Sequence, residues 1–175
     1  ITIGETPLAI MQGRYINPKT IKVTLLAKVL CQAFHPTSSL ATGCGFQTLI
    51  NIVGPSRVII SFIFGTIFKA IGIKGMFYRL AGPQARLIDD ITGTTPPYDQ
   101  TIVLGPSNPN EFCECASKQL GVGVAVVDVN DLGRVKVLSN SSNCQTNKIK
   151  LALGSNPAGN ANQHTPIVLI KSDRE

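Results

Sequence analysis

Residues 121–138 read GVGVAVVDVNDLGRVKVL. The stretch 122–127 is a near-continuous apolar run, the pattern of a central strand covered on both faces. Asp128, Val129, Asn130, Asp131, Leu132, Gly133 and Arg134 then read as a turn, and residues 135–138 as the return strand. Upstream, Asn108-Pro109 caps a helix running through Glu111, Ala116 and Leu120, and Gly121 ends it. Before that helix, residues 101–104 form a strand that stops at Gly105-Pro106. Downstream lie a helix near 143–153, closed by Gly154, and a final strand at 166–170. The order from 101 to 170 is therefore β-α-β-β-α-β. Its strand-helix-strand unit predicts parallel strands joined by a right-handed crossover.

The first half of the chain reads as helical. Residues 20–34 are apolar at helical spacing, with Thr20 as N-cap and Pro36 as stop. A small-residue loop covers 35–45, and a short helix follows over 46–53, ending at Gly54-Pro55. Residues 58–73 are the most hydrophobic run. The run is shorter than the ~20 residues of a spanning helix and contains Lys69, which argues against a transmembrane span. Ser61, Gly65, Lys69 and Gly72 line one narrow face of it. That pattern predicts a buried helix with a small-residue face, the alternative being an interfacial helix that meets a membrane. Residues 77–81 and 85–88 predict a hairpin around Gly82-Pro83, closed by Asp89-Asp90. The expected fold class is α+β, a mixed α/β single domain with a helical N-terminal half and a mixed sheet in the C-terminal half. Ile1-Thr2-Ile3-Gly4 reads as the end of a strand already under way, so a segment is expected to precede Ile1.

Composition bounds the function. A chain of 175 residues suits one domain with a real core. Hydrophobic residues at 43% against charged residues at 15% exclude a disordered chain. Aromatics at 6% with no Trp argue against a stacking platform for single-stranded nucleic acid. A net charge of +6 suits an anionic partner such as a nucleotide, a phosphorylated metabolite or a membrane surface; the other reading is a solubility surplus. Five cysteines at irregular spacing do not make a disulfide framework, and Cys113 and Cys115 face apart on a helix. Reduced thiols in a cytoplasmic setting follow.

Four of the six Asp occupy two spots, Asp89-Asp90 and Asp128/Asp131, each directly after a strand. Ligands gather beyond the carboxyl ends of strands in open α/β layers. Carboxylates there suit Mg²⁺ or Mn²⁺ holding phosphates, although Asp and Asn are also ordinary turn formers. Asp128 to Gly133 echoes part of a calcium loop, but Ser139 stands where the closing Glu belongs, so an EF-hand is rejected. Arg79 and Arg86 sit near Asp89-Asp90 and suit a carboxylate or phosphate, or pair with those acids. Ser38-Ser39 and Gly43-Cys44-Gly45 precede a helix and read as an anion loop or a connector. No Walker-type or G-x-G-x-x-G motif is present, and His35 and His164 lack a nucleophile at a recognisable motif.

The segments FYRLAG, ARLIDD, TTPPYDQTIVLGPSNPNEF, GVGVAVVDVNDLGRVKVL and NPAGNANQHTPIVLI, with PLAIMQGRY upstream, resemble the coenzyme F-420 γ-glutamyl ligase family. The likeness covers most of the chain and is nearest to a divergent branch found in cyanobacteria among others. Leu87-Ile88-Asp89-Asp90 corresponds to the family's G-I-D-x-S-N-like segment, which supplies an acidic metal ligand. The family's S-D-T-F-G-R segment corresponds to residues 127–134, with Gly133 and Arg134 matching, Leu132 in the aromatic position, and either Asp128 or Asp131 as the acid.

That resemblance implies a GTP- and Mg²⁺- or Mn²⁺-dependent ligase that forms an amide on a carboxylate-bearing metabolite through an acyl phosphate. It implies metal ligands among Asp89, Asp90, Asp128 and Asp131. Arg134 would join Asp89, Asp128 and Asp131 in catalysis, and Arg79, Arg86, Asn130 and Gly133 would hold the nucleotide. A homodimer is the family expectation. The alternatives are a non-catalytic member serving a larger complex, favoured by the apolar 58–73 helix, and a nucleotide or anion sensor.

Overall fold

Strand β1 (Thr2–Gly4) leads directly into helix α1 (Glu5–Met11). The chain then builds β2 (Tyr15–Ile16) and the helices α2 (Leu25–Leu30), α3 (Gly43–Val53), α4 (Pro55–Ala70), α5 (Met76–Ala81) and α6 (Gln84–Leu87). Strand β3 (Ile102–Val103), α7 (Pro109–Leu120), β4 (Ala125–Val129), β5 (Val135–Asn140), α8 (Thr146–Leu153) and β6 (Ile167–Val168) complete it. The computed structural model describes residues 1–89, 97–129, 133–159 and 165–171. The fold is mixed α/β, and the chain divides into two compact units, residues 1–13 with 106–175 and residues 14–105.

The first unit is built on a four-stranded mixed sheet in the order β5-β4-β1-β6. Strand β4 runs parallel to β1, with Ile3 opposite Val126, and antiparallel to β5. Successive side chains on a strand point to opposite faces. Val124 and Val126 accordingly pack with Ile3, Leu8 of α1 and Cys113 of α7. Ala125 and Val127 pack on the other side with Ile149 and Leu153 of α8. Two apolar faces on one strand are the physical reason for the unbroken apolar run.

The parallel neighbour of β4 is β1, and not the strand expected at 101–104. That strand, β3, pairs antiparallel with β2 in a separate two-stranded sheet of the second unit. Hydrophobic pattern marks both segments as strands, but it carries no information on which partner each finds.

The second unit packs its helices around Phe46, Leu49, Val58, Phe77, Ala81, Ala85 and Ile102. Phe34 lies edge-on to Phe77 at 4.9 Å and tilted to Phe46 at 5.4 Å between ring centroids. Two expectations fail here. The helix expected over 20–34 starts only at Leu25, because Thr24 is its N-cap: the Thr24 hydroxyl accepts from the Ala27 N–H, and the Thr24 N–H donates to Gln47 Oε1 at 3.0 Å. The hairpin expected over 77–88 is the pair α5 and α6. Phe77, Ala81, Ala85 and Ile88 recur at three- and four-residue spacing and all are buried, which is a helical period rather than a strand's. Gly75 (φ 81°) and Gly82 (φ 102°) supply the left-handed turns around α5.

Helix α4 reverses the burial expected of it. Its buried side chains are Val58 and Ser61. A Cβ on Gly65 would lie 2.9 Å from Phe77 Cβ and 3.1 Å from Phe77 Cα, so the missing side chain is what lets α5 approach. The small residues face inward, while Ile59, Ile60, Ile63, Phe64 and Ile67 are exposed. Among the described residues no single helix is long and apolar enough to cross a membrane; α3 and α4 reach that length only together, bent by 113°.

Candidate functional site

Carboxylates at strand ends are where a phosphate-holding cation would be sought, and the two units carry one described candidate each. In the second unit, Asp89 forms an isolated antiparallel bridge with Val103. The Asp89 N–H donates to the Val103 carbonyl at 2.8 Å and the Val103 N–H donates back at 2.8 Å. This double bond fixes the Asp89 backbone against the buried Ile102 and Val103 and leaves its side chain half-buried. Arg79 of α5 and Arg86 of α6 are exposed. Just beyond β3, Arg14 donates through Nε to the Gly105 carbonyl at 2.6 Å, and the Gly105 N–H donates to Gln84 Oε1 at 3.1 Å, which ties the strand's exit to α6.

In the first unit, Asp128 lies half-buried near the carboxyl end of β4, opposite Lys136 on β5. Gly133 (φ 71°) adopts the left-handed conformation a tight return needs, and Arg134 follows it at the exposed mouth of β5. Asp128, Gly133 and Arg134 thus share one end of the sheet, whereas Asp89, Arg79 and Arg86 belong to the other unit. Asp90, Asn130 and Asp131 lie outside the described residues. Among the described residues no group of three or more His, Cys, Asp or Glu is gathered as a metal would require. The donor chemistry nonetheless fits a hard cation, because Mg²⁺ is commonly held by one or two carboxylates completed by water and substrate phosphates.

The loop before α3 is not an open anion cradle. The Thr42 hydroxyl accepts from the Gly45 N–H at 3.0 Å, and a Cβ on Gly45 would run into the Ser39 carbonyl. The chain's own oxygens therefore fill that helix start. His35 is exposed and its Nδ1 lies 2.8 Å from Thr37 Oγ1, a local turn contact. All five cysteines are free; Cys113 is buried and Cys115 exposed, as their spacing predicts. Burial pushes the Cys113 thiol up, outweighing the hydrogen bond from Ser139 that favours the thiolate.

Two features escaped the sequence reading. One is a buried polar brace in the first unit. The Val124 N–H donates to Ser141 Oγ at 2.9 Å, Ser141 Oγ donates to Asn143 Oδ1 at 2.6 Å, and Ser117 Oγ of α7 donates to the same oxygen at 3.2 Å. Its signal is the Ser/Asn run over 139–143, between the return strand and the helix that follows. The other is the division of charge. The second unit holds nine Lys and Arg against three Asp, and so the whole net charge of +6, while the first balances seven against seven. The chain has no Asp or Glu from residue 6 to residue 88. The basic residues are spread along the chain, but the acids are not, and only the acids reveal the asymmetry.

Compared with protein-family models, with curated proteins and with solved structures, the chain matches none.

Proposed function

We propose that the chain is a divergent relative of the coenzyme F-420 γ-glutamyl ligases, a GTP- and divalent-metal-dependent enzyme that forms an amide on a carboxylate-bearing metabolite. The observation that carries this reading is Asp128 near the carboxyl end of β4, a strand parallel to β1, with Gly133 and Arg134 in the return. That end of a parallel pair is where α/β folds collect ligands. These are also the positions at which the sequence resembles the family's second signature.

In the proposed reaction a substrate carboxylate oxygen attacks the γ-phosphorus of GTP. The bond from phosphorus to the GDP oxygen breaks, and an acyl phosphate forms. An amine nitrogen then attacks the acyl carbon, inorganic phosphate leaves, and the amine loses a proton. Asp128, with Asp131 of the resemblance, would hold Mg²⁺ or Mn²⁺, which when bound would neutralise phosphate charge. Arg134 would orient phosphate oxygens with its planar fork of donors.

Calorimetric titration of GTP in the presence of Mn²⁺ tests this. Wild type is expected to bind only with metal, and Asp128→Ala to weaken binding at least about tenfold, the scale of a lost charge-assisted contact. Absence of binding by folded wild type, or binding unchanged in the variant, overturns the ligase reading.

A further inference from the structure

We infer that the outer face of α4 docks on an anionic lipid surface. The inference goes beyond the ligase reading and does not rest on it. Helix α4 spans sixteen residues, and its outward side chains are large and apolar: Ile60 is 53% exposed, Ile63 51%, Phe64 47% and Ile67 53%. Isolated exposed apolar residues are ordinary, but a contiguous face of them marks a contact surface. The helix meets its own unit through Val58, Ser61, Phe62 and Gly65. It thus presents its larger apolar surface to the outside, as a helix at a membrane interface does.

Charge selects the occupant. Arg57 lies in the first turn of α4, Lys74 follows the helix and Arg79 lies on α5, all exposed, in a unit of nine Lys and Arg against three Asp. No acid is present in the sequence anywhere from residue 6 to residue 88 to offset them. A symmetric contact between two copies through this face would bring the same cations together, because such an interface pairs a patch with itself. An anionic bilayer meets both demands: acyl chains cover the isoleucines and Phe64, and headgroups neutralise the cations. Lys74, exposed just past the helix, can lay its methylenes along apolar surface while its ammonium group reaches the headgroups. One apolar face combined with a basic cluster is the pairing of signals that holds a peripheral protein on a membrane.

Flotation of the full chain with lipid vesicles tests this. The vesicles are phosphatidylcholine alone, or phosphatidylcholine with about a third phosphatidylglycerol to supply the surface charge. Wild type is expected to float with the anionic vesicles and about twenty-fivefold more weakly with the neutral ones, at roughly fivefold for each of two basic residues near the surface. The double variant Ile63→Glu/Phe64→Glu is expected to lose binding to both by about a hundredfold, because it removes apolar area and adds charge. Lys74→Glu/Arg79→Glu is expected to lose only the preference for anionic lipid. All four positions are exposed, so unchanged thermal unfolding will show that the variants fold. Wild type that stays off anionic vesicles, or Ile63→Glu/Phe64→Glu that floats like wild type, overturns the inference. A dimer in sedimentation that this variant dissociates, without vesicle binding, overturns it in favour of a second copy of the chain.

Discussion

In the unit formed by residues 1–13 and 106–175, the central strand is covered on both sides: Val124 and Val126 by α1 and α7, Ala125 and Val127 by α8. Its buried serines are hydrogen-bonded and its charges balance. The unit formed by residues 14–105 has an aromatic core of its own, yet it leaves a row of isoleucines on α4 outside and carries the whole net charge. Apolarity along the chain therefore does not report burial in the same way in the two units. In a two-faced strand every apolar residue is inside. In α4 the small residues Ser61 and Gly65 lie inside with Val58 and Phe62, because α5 approaches across Gly65 more closely than a side chain would permit.

The largest effect that would sharpen this contrast lies in the second unit's core. Phe46 is fully buried and tilted against Phe34. Phe46→Ala is expected to cost about 3–5 kcal/mol, the usual range for deleting a buried ring and leaving a cavity. Urea denaturation measures it. A loss below about 1 kcal/mol, the scale of a surface substitution, would mean that the ring cluster is not the core and that burial in this unit is assigned to the wrong residues.

A smaller effect belongs to the first unit. Ser141 is fully buried and links the Val124 N–H to Asn143 Oδ1. Ser141→Ala leaves a buried donor and an acceptor each short of a partner, and is expected to cost about 1–3 kcal/mol. Hydrogen exchange at the Val124 amide gives a second readout, since that N–H loses its acceptor. Unchanged stability with unchanged exchange would remove the brace from what holds this unit together.

These two sites differ in how far they could be foreseen. Phe46 was legible as part of an apolar helix, and the strand read at 122–127 as a central one, although it runs over Ala125–Val129 and leaves Val122 exposed. The end of α7 at Gly121 and of α8 at Gly154 was legible from local chemistry. Partner choice was not: β3 and β1 both read as strands, and only three-dimensional packing assigns β1 to β4. The helices at 76–87 were masked by Gly82-Pro83, which punctuates a hairpin and a helix pair equally well. Of the candidate site, the position of Asp128 near the end of β4 was legible, whereas Asp89 follows helix α6 and not the strand expected there. The division of those acids between two units was not, since chain order says nothing about which segments cluster.

The smallest effect is the most discriminating, because it repeats the Ser141 substitution in the other unit. Ser61 is 1% exposed, and among the described residues its Oγ has no hydrogen-bond partner. A buried hydroxyl without a partner has lost its water and gained nothing for it, and alanine is the better helix former of the two. Ser61→Ala also leaves almost no cavity, because it removes a single oxygen. The expected result is a gain of about 0.5–1 kcal/mol where Ser141→Ala gives a loss, although both serines are buried. Opposite signs for one chemical change would establish that the first unit uses its inward hydroxyls as ties, while the second uses Ser61 only for its small size. A loss of more than about 1 kcal/mol at Ser61 would mean that the hydroxyl is paired after all. The inner face of α4 would then be held by polar contact as well as by close approach, and the contrast between the units would shrink to their charge and to the isoleucines outside.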